Sequence, residues 1–127
     1  MTPAQAGDCF FANGLEFQRL TGLMQGTNDK VLLVHGAVIG SEGGPIAGLE
    51  HMHCWVEIEF DDDESRAIVI SVANGDSFAV SRARYYEIAR IAQAGNNVHR
   101  YDMAAFRQRV LEHGHWGPWD LVTSTGL

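Results

Sequence analysis

The stretch LEHMHCWVEIEF, Leu49 to Phe60, sets two histidines, a cysteine and a tryptophan into a run that alternates between polar and apolar residues. A period of two marks a β-strand, in which successive side chains point to opposite faces. Cys54, Val56, Ile58 and Phe60 then share one face, and His51, His53, Trp55, Glu57 and Glu59 the other. The Cys54 thiol falls on the apolar side, where a cysteine behaves as a small hydrophobe. A nucleophile for His53 has to come from elsewhere in the chain.

Working outward, DDDES is a polar turn and RAIVISVANG a second strand that ends at the turn signal Asn74-Gly75, antiparallel to the first. Upstream, KVLLVHGAVIG, Lys30 to Gly40, is apolar on both faces and reads as a central strand; the glycine-rich GSEGGPIAG after it is a loop. Asp8 is placed to cap a helix beginning at Cys9, with Phe10, Phe11, Leu15, Leu20, Leu23 and Met24 on one broad face and Gly14 as a weak point. Ser81 caps a helix through RARYYEIARIAQAG that stops near Gly95. NNVHRY is a short strand, and Asp102 caps MAAFRQRVLEHG, which ends at Gly114. The order predicts an α+β domain: a mostly antiparallel sheet of about four strands, packed against an N-terminal helix bearing Cys9 and two later helices.

The 127 residues, 46% hydrophobic and 20% charged, suit one globular domain spanning 1–127. A formal net charge of −7 with no Lys/Arg cluster argues against nucleic-acid or acidic-membrane binding, which rely on basic patches. No apolar run is long enough to span a bilayer, and MTPAQAGDCFF lacks the layout of a signal peptide, so a cytoplasmic chain without a membrane partner is expected. The two cysteines, Cys9 and Cys54, are expected as free thiols.

At the first turn of the predicted helix, Cys9 would face unpaired backbone N–H groups that favour a thiolate. Its own N–H is a natural oxyanion donor there. His53, 44 residues downstream, can take the thiol proton, and the next strand offers Ser71 and Asn74 to orient the ring. Trp55, Trp116 and Trp119 suit either a groove or the core; His35 and His99 read as buried or interfacial hydrogen-bonding residues, and His35, on the central strand, is the better placed of the two to line a site. His51 and His53 share a face and could bind one zinc with His113 and His115 as further donors, but no CxxC or HExxH spacing accompanies them and His113 has no reason to converge on the strand. No metal or cofactor is expected.

HCWVEI resembles the HAWVE strand that carries the catalytic histidine in transglutaminase-like and papain-like cysteine enzymes. With DCF, LVHG, SVANG, RYYEI, VHRYD and HWGPWD, the chain from Asp8 to Asp120 resembles small phage and bacterial proteins with a compact papain-like core. The resemblance implies Cys9 as nucleophile, His53 as base, and Gln5, upstream of the nucleophile, as an oxyanion donor. Where the transglutaminase-like pattern has an aspartate after the histidine strand, this chain has Ser71, so Asn74 is expected to orient His53 by a hydrogen bond. The activity implied is that of a cysteine hydrolase or acyltransferase acting on an amide or thioester in a protein, peptide or small amide. The alternative is a non-catalytic papain-like phage module that binds and inhibits a host protein.

Overall fold

The computed structural model describes residues 3–40, 48–61, 63–73 and 76–121, with the side chains of residues 3–8, 73 and 76 outside that description. The elements are α1 (Pro3–Leu23), β1 (Lys30–Ile39), β2 (Glu50–Phe60), β3 (Asp63–Ala73), β4 (Asp76–Ser81), α2 (Arg82–Ile88), β5 (Val98–Tyr101) and α3 (Met103–His113). The fold is α+β. A five-stranded sheet of order β4-β3-β2-β1-β5 is antiparallel at every pairing. The strand beyond the expected four is β4, DSFAVS, a short edge strand whose single large apolar residue, Phe78, is exposed.

The alternation of 49–60 decides how the layers stack. Cys54, Val56 and Ile58 pack under α1 with Phe10, Phe17, Leu20, Val31, Leu33, Tyr101 and Phe106 of α3. Trp55 packs on the other face with Val34, Val38, Val69, Tyr85 of α2 and Ala89 just after it. That second face was expected to be polar. It is buried instead, because Glu57, with no exposed surface, meets Arg82, Arg100, Tyr86 and the Trp55 indole N–H. Burial alone would raise the Glu57 carboxyl, but the hydrogen bonds from Tyr86 and Trp55 and the Arg100 guanidinium bring it below its ordinary value.

The caps follow the sequence at two helices. The Ser81 hydroxyl accepts from the Arg84 N–H at 3.2 Å, and Asp102 accepts from the Ala105 N–H at 2.8 Å. The first helix departs from expectation. It begins at Pro3, six residues before Cys9, so Asp8 lies within it and does not cap it. Its buried stripe runs through Cys9, Phe10, Asn13, Gly14, Phe17 and Leu20, whereas Phe11, Leu15 and Leu23 are exposed. Gly14 belongs to this stripe because the Trp116 ring lies where a Cβ would stand. Among the described residues no helix is long and apolar enough to cross a membrane.

Gly36 has a similar role on the other face, since a Cβ there would overlap the fully buried Trp55 ring. Gly36→Ala should therefore destabilise the fold by about 1–3 kcal/mol through overpacking. Denaturant unfolding should give a lower midpoint with an unchanged slope; an unchanged midpoint would mean that the Trp55 ring is free to move.

Candidate active site

The site is built where the sheet is incomplete. Between β2 and β3 the register pairs Ile58 with Ile68, Glu57 with Val69 and Val56 with Ile70. Continued by two residues, it would set Cys54 opposite Val72, and no such pairing exists. The Val72 N–H donates to Asn13 Oδ1 at 3.0 Å, and Asn13 Nδ2 donates to the Val72 carbonyl at 2.9 Å. One side-chain amide from α1 thus makes the pair of bonds that a strand residue would make in an antiparallel ladder. Nδ2 also donates to the Cys9 carbonyl at 2.8 Å, one helical turn back.

Cys9 lies beside this break, and its Sγ is 3.6 Å from the Cys54 carbonyl oxygen. Strand alternation turns His53 away from the α1 face that Cys54 occupies. The two groups nevertheless meet, with Cys9 Sγ 3.2 Å from His53 Nδ1. The thiol on the α1 side of the sheet thus lies beside an imidazole that alternation assigns to the other side, next to the end of the β2–β3 ladder. Cys54 itself is fully buried on the α1 side, and both cysteines are free.

The electrostatics keep both partners neutral at rest. Burial raises the Cys9 thiol above its ordinary value, and this outweighs the opposing hydrogen bonds of the Cys54 backbone and the Asn13 amide. Burial, with a smaller contribution from the positive charge His51 can carry, pushes the His53 imidazole down to about 4. The expected helix-terminal thiolate is thus corrected. Cys9 sits in the second turn of α1, where the orphan N–H groups of the first turn are already past. Its own N–H is directed at the carbonyl four residues back and is not the oxyanion donor expected of it.

The remaining residues singled out in the sequence are placed as follows. Asn74 lies outside the described residues; Gln5 stands one turn before Cys9 in α1, its side chain undescribed. Ser71 is buried, and its hydroxyl has no hydrogen-bond partner among the described residues. Trp55 is core, its ring centroid 6.0 Å from that of His53. His35 is fully buried between Phe10, Tyr101 and Trp119, and neither ring nitrogen has a hydrogen-bond partner among the described residues. Trp116 and Trp119 pack against the core under α1. His51 stacks near His53, and His113 near His115, as two separate pairs. Among the described residues no group of three or more His, Cys, Asp or Glu is placed to hold a metal ion.

Asn13 is the residue that sequence reading missed. Its signal was present: a polar amide four residues after Cys9, on the same helical stripe as Phe17 and Leu20, where a solvent-facing residue is not expected.

No family model matches the chain, and no curated protein or solved structure is significantly similar to it.

Two depressed histidines give the fold a pH dependence. Burial, reinforced by His99 and His115 and opposed by Asp120, pushes His35 down from 6.5 to about 3; His53 falls to about 4. Below pH 6.5 the unfolded chain therefore binds protons that the folded chain does not, and stability falls as the pH drops. Between pH 6.5 and 5 the slope should approach two protons, about 2.7 kcal/mol per pH unit at most. Urea unfolding across that range tests this, and His35→Leu should bring the slope toward one proton. A slope that His35→Leu leaves unchanged would remove His35 from the account.

Proposed function

We propose that this chain is a cysteine-dependent hydrolase or acyltransferase that attacks an amide or thioester carbonyl through Cys9, with His53 as general base and then general acid. The supporting observation is the 3.2 Å approach of Cys9 Sγ to His53 Nδ1 across the sheet. The resemblance of HCWVEI to the histidine strand of papain-like and transglutaminase-like enzymes points the same way.

Because thiol and imidazole are both neutral at rest, the proton moves from Sγ to Nδ1 as the sulfur attacks, not in advance of it. A C–S bond forms, the carbonyl π pair moves to oxygen, and the tetrahedral intermediate collapses as the leaving group takes the proton from Nδ1. The thioester is then resolved by water or an acceptor amine that gives its proton to the same nitrogen. Asn74 is the proposed orienter of the ring and Gln5 the proposed oxyanion donor. The substrate class is an amide or thioester in a protein, peptide or small molecule.

The raised thiol and its small exposed surface favour a second reading, a non-catalytic papain-like module that binds a host protein. Iodoacetamide labelling read by mass spectrometry separates the two. The enzyme reading expects Cys9 to be alkylated well ahead of Cys54, at a rate that climbs with pH through neutrality without a plateau. In His53→Ala it should fall by about tenfold or more. Equal, slow labelling of both cysteines, indifferent to His53→Ala, would leave the binding module.

A further inference from the structure

We propose that Asn13 is the positioning residue of the Cys9–His53 pair: its carboxamide replaces a strand partner on Val72, holds β2 and β3 apart, and so opens the gap through which the thiol reaches the imidazole. The inference rests on the enzyme reading for its purpose, but its geometry stands separately.

Asn13 has no exposed surface and sits in the middle of a helix, where a polar side chain without partners would be costly. Its partners account for its presence there. An amide carries two donor hydrogens and an acceptor oxygen; here one hydrogen faces the Cys9 carbonyl, the other the Val72 carbonyl, and the oxygen the Val72 N–H. The first bond fixes the amide to the turn that bears the nucleophile, and the other two fix that turn to β3. Nδ2 also lies 3.8 Å from Cys9 Sγ, close enough for the positive end of the amide dipole to favour negative charge on the sulfur. Without the amide, Val72 and Cys54 have each other as the nearest ladder partners, since the register of the three preceding pairs sets them opposite one another. A closed ladder would leave Cys9 on the α1 face and His53 on the other. An apolar residue at position 13 would serve the core equally well and could not hold the strands apart, which separates this role from packing.

The test is a double-mutant cycle on Cys9 alkylation, with Asn13→Ala, His53→Ala and the pair. In the native background His53→Ala should lower the rate about tenfold or more; in the Asn13→Ala background it should change it by no more than about twofold, because the partners no longer meet. The same loss of a rate from His53→Ala in both backgrounds would overturn the proposal. If Asn13→Ala does not fold, the native protein decides. Scalar coupling by NMR across the hydrogen bond from the Val72 nitrogen to the Asn13 side-chain carbonyl carbon supports the proposal, and its absence overturns it. A third readout keeps the proposal apart from the enzyme reading. The nuclear Overhauser contact between the Cys9 β-protons and the His53 ring should be lost in Asn13→Ala whether or not the native thiol reacts. Persistence of that contact would overturn the wedge and leave the dyad intact.

Discussion

Two hydrogen bonds between one side-chain amide and one backbone residue, Asn13 and Val72, set the form of this molecule where it matters most. An antiparallel sheet is a closed surface: side chains on its two faces are separated by the ladder itself. Here the ladder between β2 and β3 is interrupted at Cys54, and an amide from the helix above completes the half that belongs to β3. The polar groups stay satisfied on that side, so the break does not leave orphaned backbone at Val72.

The proposed chemistry follows from the burial of the thiol and the imidazole. Burial acts on thiol and imidazole in the same sense, disfavouring the charged form of each. The pair is thereby held as thiol and neutral ring, a general-base arrangement and not a standing ion pair. The contacts of the sulfur with the Asn13 amide and the Cys54 backbone pull the other way with less effect. On the proposed function, the proton would move only as a substrate carbonyl is presented to the sulfur.

Much of the fold was legible because it is written in local pattern. The alternation of 49–60 set Cys54 and His53 on opposite faces, and Ser81 and Asp102 marked helix starts by the chemistry of their side chains. What escaped was set at a distance. Glu57 reads as a solvent-facing residue and is buried, because Arg82 and Arg100, 25 and 43 residues away, converge on it. The edge strand β4 carries almost no apolar pattern, since an edge can face water on one side. Cys9 looked like the opening of a helix because Asp8 is a good cap; the two turns before it, PAQAGD, carry no apolar stripe. Asn13 shows its purpose only when Val72, 59 residues on, is laid beside it.

The central claim is that the Cys9 thiol and a neutral His53 share a proton through the gap in the sheet. Nitrogen-15 NMR of the His53 ring tests it most directly. At neutral pH the account predicts a singly protonated ring with its proton on Nε2, and an Nδ1 resonance that shifts when Cys9→Ala removes the sulfur. A doubly protonated ring at neutral pH, or an Nδ1 resonance indifferent to Cys9→Ala, would contradict it.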